Sequence, residues 1–183
     1  MTGKKLHIAS VKAKLPVDLT LESKHKRMEL FKQFDPNSNG YLSLAEVDKG
    51  IRDVLNIQEL FDLKPVIMRA FQAAKGANDK KNKAGSLGPD YVEKCEFRLL
   101  MVYLGKYFEL YELFSEVDAD DDHRIDIGEF RKAVPVINSW GAHITDVDAT
   151  FEQIDRNGGG IILFDEFAHW ALSKHLDELH PDE

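Results

Sequence analysis

The sequence has a single cysteine, Cys95, among 183 residues, so no disulfide can close within the chain and a reducing compartment fits. No apolar run approaches the roughly twenty residues that span a bilayer, and no such run precedes a small-residue cleavage site. The protein is therefore expected to be cytoplasmic, neither secreted nor transmembrane. Thr2 stands where N-myristoylation requires Gly, so no N-myristoylation signal is expected. Seven histidines form no i, i+4 pair beside a cysteine or a third close ligand, which argues against zinc. Also missing are a Ser/His/Asp or Cys/His constellation, a phosphate-cradling glycine loop and a nucleic-acid signature. Neither catalysis nor nucleic-acid binding is expected, and a monomer is.

What the chain does have is unevenly spread charge. The net charge of −8 divides into +6 over residues 1–106 and −14 over residues 107–183. The acidic half is where cations should collect, while the basic half can face an acidic partner or, weakly, an anionic membrane. Residues 1–19 hold four lysines among spaced apolar residues. They are expected to form a basic, mobile N-terminal segment, and residues 177–183 an acidic tail.

The densest acidic stretch is Asp118–Glu129, D-A-D-D-D-H-R-I-D-I-G-E. Asp118, Asp120 and Asp122 stand at positions 1, 3 and 5 of a twelve-residue segment, with Glu129 at 12. A hard divalent cation wants six to eight oxygens, and three carboxylates, the carbonyl of Arg124 at position 7 and a bidentate Glu129 can wrap one Ca2+. The same spacing recurs at Asp35–Glu46, with Asp35, Asn37, Asn39 and Glu46 as side-chain ligands and the Tyr41 carbonyl at position 7. Only two of those side chains are charged, so weaker attraction is expected. Ser43 and Glu46 make a capping box for the exiting helix.

Asp155–Glu166 repeats the pattern with Asp155, Asn157, Glu166 and the Ile161 carbonyl, but Gly159 leaves position 5 without an oxygen and Leu163 leaves position 9 without one. Counting back from Glu96 gives a fourth segment, Gly85–Glu96. Gly85, Leu87 and Pro89 offer no side-chain ligand there. It retains Val92 at position 8, where the others have Leu42, Ile125 and Ile162. Segments of this kind pair in twos through a short antiparallel ladder centred on position 8. The sequence thus predicts an all-α fold of four helix–loop–helix units in two paired lobes, 20–106 and 107–176. The second loop is degenerate, and two to three Ca2+ ions are expected. Helices are expected over Thr20–Phe34 and Leu60–Ala74, with Thr145 capping another, and Cys95 is expected to pack as a small apolar residue.

These residues are those of the EF-hand superfamily, and within it the chain resembles the flagellar calcium-binding proteins (calflagins) of kinetoplastid protists. The resemblance rests on Arg27–Asp35 (RMELFKQFD), Cys95–Tyr103 (CEFRLLMVY), Phe130–Pro135 (FRKAVP), Trp140–Ala142 (WGA) and Phe164–Trp170 (FDEFAHW). It spans about residues 20–172. It implies a calcium-binding protein associated with a flagellum, with a degenerate second loop and an elongated segment before it. Family members usually begin with an acylated Gly followed closely by Cys; this chain has Thr2 and no early cysteine. Three roles fit these features: a calcium sensor that engages a target protein, a light-chain-like subunit of a flagellar or cytoskeletal assembly, and a calcium buffer.

Overall fold

The computed structural model describes residues 3–75, 90–139 and 141–174, with side chains from His7 onward. Its helices are α1 (Gly3–Ala13), α2 (Leu21–Phe34), α3 (Leu44–Gly50), α4 (Gln58–Phe61), α5 (Lys64–Lys75), α6 (Phe97–Val117), α7 (Ile127–Ser139), α8 (Val147–Ile154) and α9 (Phe164–Ser173). Among the described residues there are also two short strands, β1 (Tyr41–Leu42) and β2 (Val92–Glu93), a π-helical turn (Ile51–Leu55) and a 3-10 turn (Lys94–Glu96). The chain divides into two compact units, residues 1–108 and 109–183, with the division inside α6. Within each unit the helix–loop–helix segments pair in twos, so the all-α expectation holds.

The pairing follows the aliphatic residue at position 8. In the first unit β1 and β2 are antiparallel, with Leu42 opposite Val92 and Tyr41 opposite Glu93. In the second, Ile125 and Ile162 form an isolated bridge, exchanging N–H···O bonds of 3.0 and 2.8 Å. All four position-8 side chains are fully buried, because each ladder lies over the apolar core of its unit. In the first unit that core includes Phe31 and Phe34, each edge-on to Phe97 at ring separations of 5.4 and 5.3 Å. Gly50 is needed there: a Cβ on it would lie 2.5 Å from the Phe34 ring, so any side chain would push α3 off α2. The second unit stacks Phe114 against Phe164 and Phe167, and Phe130 against Phe151.

Four sequence expectations are corrected. Where a mobile segment was expected, residues 3–13 form the helix α1. Val11 is fully buried and Leu15 nearly so, and Leu15 sits where a Cβ on Gly105 would touch it at 3.3 Å. The His7 ring lies 5.8 Å from that of Phe108. The apolar residues that an interfacial helix would turn toward lipid are thus spent on the protein's own core. Beyond α1, the carbonyls of Pro16 and Asp18 accept from Arg27 at 3.0 and 2.7 Å, and that of Val17 accepts from Arg98 at 2.8 Å. Lysine spacing gave no hint of these distant arginine donors.

The helix expected over Leu60–Ala74 is broken into α4 and α5 around Leu63. Leu60 is buried before the break and Val66 and Ile67 after it, so two short helices reach the core where one straight helix would not. The cap of α8 is Asp146, not Thr145: its carboxylate accepts from the Ala149 N–H at 3.0 Å. Cys95 is exposed, not packed, since the short 3-10 turn at Lys94–Glu96 buries Glu96 and turns Cys95 outward. The ligand-poor positions Gly85–Pro89 of the second loop, Trp140 and the acidic tail lie outside the described residues.

Candidate calcium sites

Each of the three ligand-bearing loops is assembled by the same hydrogen-bond net, with position 1 at its centre. Asp118, Asp35 and Asp155 directly follow the helices that lead into their loops, and all three are buried despite their charge. Each spreads two oxygens over the backbone N–H groups of positions 5 and 6. Asp118 accepts from Asp122 at 3.3 Å and His123 at 2.9 Å. Asp35 accepts from Asn39 at 3.1 Å and Gly40 at 2.9 Å. Asp155 accepts from Gly159 at 3.0 Å and Gly160 at 2.8 Å. These bonds wind the chain around a central point and require a left-handed residue at position 6. Gly40 (φ 87°), His123 (φ 65°) and Gly160 (φ 79°) all adopt that conformation.

Position 12 closes the ring from the other side. Glu129, in the first turn of α7, accepts on Oε1 from the N–H of Ala119 at 3.0 Å and of Asp120 at 3.3 Å, and on Oε2 from Asp126 at 3.0 Å. Asp126 returns the favour by accepting the Glu129 N–H at 2.8 Å, a reciprocal cap at the start of α7. Glu166 reaches the N–H groups of Asn157 (3.2 Å) and Leu163 (3.0 Å). Glu46 takes the Asn37 amide at 3.0 Å and the Ser43 N–H at 2.8 Å, and Ser43 Oγ completes the capping box. One carboxylate therefore ties the first turn of each exiting helix to the opposite wall of its loop.

The donor sets differ in strength. Carboxylate oxygens of Asp118, Asp120 and Glu129 all lie within 4.8 Å of one another. Ligands at 2.3–2.6 Å from one Ca2+ can be no further apart than about 5 Å, so this trio fits the ion. Burial pushes the Asp118 carboxyl above its usual range, and the charges of Glu129 and Asp122 add to the shift. The N–H bonds from His123 and Asp122 pull the other way. A divalent cation at the centre would relieve that repulsion. In the first loop, Asn37 and Asn39 stand where the third has Asp120 and Asp122, so the same geometry carries less charge.

Position 5 also shapes the backbone. Asn39 Oδ1 and Asp122 Oδ1 accept from the N–H of Tyr41 and Arg124, at 3.1 and 2.9 Å, which turns the position-7 peptide into place. Gly159 has no side chain to do this for Ile161. The Asn157 amide oxygen lies 2.7 Å from where a Cβ on Gly159 would stand. Position 9 of that loop, Leu163, is half-exposed and offers no oxygen either.

Two residues near the third loop were not singled out by spacing as ligands. Asp126 organises Glu129 rather than the centre of the loop. Asp121 brings a carboxylate near Asp118 and the His123 ring, a second grouping within 4.8 Å. Asp126's acidic position 9 was visible in the sequence; the approach of His123 depends on its left-handed backbone and was not.

Residues 11–104 match the model of the FCaBP EF-hand domain, and residues 107–172 that of the EF-hand domain pair. The chain belongs to the flagellar calcium-binding protein family. It is 39% identical over 168 residues to a flagellar calcium-binding protein of Trypanosoma cruzi, covering 91% of this chain and 79% of that one. Flagellar calcium-binding protein TB-24 of Trypanosoma brucei brucei is 40% identical, with 91% and 76% covered. Human calcium-binding protein 4 is more distant, at 29% identity over 79% of this chain and 50% of that protein. All three relatives are named as calcium-binding proteins. As a member of the family, the chain is a calcium-binding EF-hand protein.

Proposed function

We propose that this flagellar calcium-binding protein family member is a calcium sensor that binds two to three ions, changes conformation and engages a target protein. The observation that carries the reading is Glu129. Its two oxygens hold three backbone N–H groups, of Ala119, Asp120 and Asp126, from the first turn of α7. Calcium competes with those donors for the same carboxylate, so filling the third loop must redirect Glu129 and, with it, the start of α7. The ion is held by Asp118, Asp120, Asp122, Glu129 and the Arg124 carbonyl. The first loop follows with Asp35, Asn37, Asn39, Glu46 and the Tyr41 carbonyl. The fourth, with Asp155, Asn157, Glu166 and the Ile161 carbonyl, binds last because Gly159 and Leu163 bring no oxygen.

Adding calcium to the chelated protein should raise the fluorescence of an apolar dye and change the far-ultraviolet helix signal. Unchanged signals alongside tight binding would leave a buffer in place of a sensor. Titration calorimetry should find two to three ions; four, or none, would refute the assignment of ligands by loop.

A second reading is favoured by the first unit. Its second loop has no side-chain ligands at Gly85, Leu87 and Pro89, yet its ladder is the fuller of the two. A lobe that keeps its structure while losing a metal suits a constant attachment. The chain would then be a light-chain-like subunit of a flagellar assembly, modulated by calcium. The names of the relatives support a flagellar location, and among the described residues no helix is long and apolar enough to cross a membrane. Equal co-sedimentation with flagellar filaments in calcium and in chelator would favour this reading; a wholly soluble pool would count against it.

A further inference from the structure

The first unit has an open groove of about 680 Å³ where the link between α1 and α2, the body of α2 and the start of α6 meet. Lys24, Arg27, Lys94 and Arg98 line it, over a floor that includes Phe31 and Phe97. None of its lining residues is acidic. Large apolar side chains stand at and beside its mouth: Leu19, part of the lining, is 62% exposed, and Leu21, at the start of α2, is 74% exposed.

Two features make this more than a basic patch. Arg98 lies close enough to raise the electrostatic cost of the Arg27 charge. Burial and the Arg98 charge both hold the Arg27 guanidinium below its ordinary range, with Asp18 only partly offsetting them. Arg27 donates to the carbonyls of Pro16 and Asp18 and Arg98 to that of Val17, and these bonds fix the groove's wall. Lys24 and Lys94, both in the lining, have no ion-pair partner among the described residues. The groove thus combines concentrated positive potential with buried aromatic surface, as recognition of a segment bearing acids on one side and apolar residues on the other requires.

We infer that this groove is the docking site for an acidic amphipathic helix of a partner protein, whose carboxylates meet Lys24 and Lys94 while its apolar side chains enter over Phe31 and Phe97. Concavity favours a peptide over a bilayer. Phe31 and Phe97 line the groove and are almost wholly buried, so they are reached by side chains that enter it and not by a flat bilayer laid across it. The inference rests on the reading that the chain engages a target. It names the surface and chemistry of that engagement, and requires no calcium-driven opening.

The test uses the full chain in chelator throughout, so it does not depend on the calcium response. A fluorescein-labelled amphipathic helical peptide with glutamates on one face and leucines on the other is titrated by anisotropy, beside a counterpart with lysines in place of the glutamates. The acidic peptide should bind, and the Lys24→Glu/Lys94→Glu double variant should weaken it by about tenfold, the loss of two exposed charge pairs. Both lysines are exposed, so the variant should keep the parent's circular dichroism. Equal binding of the lysine peptide, or no effect of the double variant, would overturn the site. So would co-sedimentation with phosphatidylserine vesicles that the variant abolishes while the acidic peptide fails to bind, since the surface would then serve lipid.

Discussion

The two ladders set structure and ligand supply against each other. In the first unit, Tyr41–Leu42 pairs with Val92–Glu93 over two registered positions, though one of its loops has no side-chain ligand at positions 1, 3 and 5. In the second, both loops carry an acid at position 1 and Glu at position 12, yet Ile125 and Ile162 make only an isolated bridge. Metal binding therefore does not dictate pairing. The buried aliphatic at position 8 does, because it closes the core whether or not an ion lies above it. The side chains at positions 3 and 5 are, by contrast, exposed, and the second loop keeps its ladder with no ligand at either.

The sharpest way to break that separation is to attack the ladder. Ile162→Ala removes a fully buried side chain beneath the bridge and should destabilise the second unit by ~2–5 kcal/mol, the usual range for emptying a core position. Because Ile162 also registers the two loops, calcium binding at both should weaken together. Chemical denaturation with and without calcium would check this. If stability dropped while affinity at the third loop stayed unchanged, the loops would be independent and the bridge only a core contact.

Glu129→Gln makes the opposite cut. The amide keeps one oxygen and the size of the side chain, but removes a charge and bidentate ligation. It should weaken the strongest calcium step by roughly 100-fold, a loss of ~3 kcal/mol, with the chelated protein's melting temperature little changed. Calorimetric titration separates the steps. If the strongest step survived, the third loop would not be the leading site.

A gain is expected from Gly159→Asp, which gives the fourth loop the position-5 carboxylate that Asp122 supplies in the third. The new Cβ would lie 2.7 Å from Asn157 Oδ1, so the Asn157 tip must swing aside, a small motion at the end of an exposed side chain. The fourth site should tighten by about tenfold, ~1.4 kcal/mol, from one added anionic ligand partly offset by that adjustment. Unchanged affinity would mean the missing position-9 oxygen at Leu163 is the limiting defect.

How far the sequence foretold all this depended on the kind of interaction. The four loops, their ladder residues and the left-handed position 6 were readable because each rests on fixed local spacing. Asp118 bonds to residues four and five places on, and Glu129 to residues nine and ten places back. The N-terminal segment was misread because what holds it is remote. Arg98 reaches 81 residues back to the Val17 carbonyl, and Gly105 accepts Leu15 because it has no side chain of its own. The break before α5 was hidden for a similar reason: the apolar pattern continues across Leu63 while the core it serves lies in two directions. The docking groove combines both failures, being built from three segments far apart in the chain.

The smallest effect belongs to His123, and it tests whether the loop net alone sets position 6. All three loops place a left-handed residue there, donating its N–H to the position-1 carboxylate at 2.8–2.9 Å. Two of them use glycine. Since that bond comes from the backbone, His123→Gly preserves it. The change removes the ~1–2 kcal/mol cost of holding a side chain at positive φ, against about 0.5–1 kcal/mol for restraining a more flexible residue. The chelated protein should therefore gain at most ~1.5 kcal/mol, with calcium affinity at the third loop near that of the parent. If instead the substitution lowered stability or affinity clearly, the His123 ring would be contributing through its approach to Asp118 and Asp121. The oddity at position 6 would then be a functional part of the loop and not a tolerated strain.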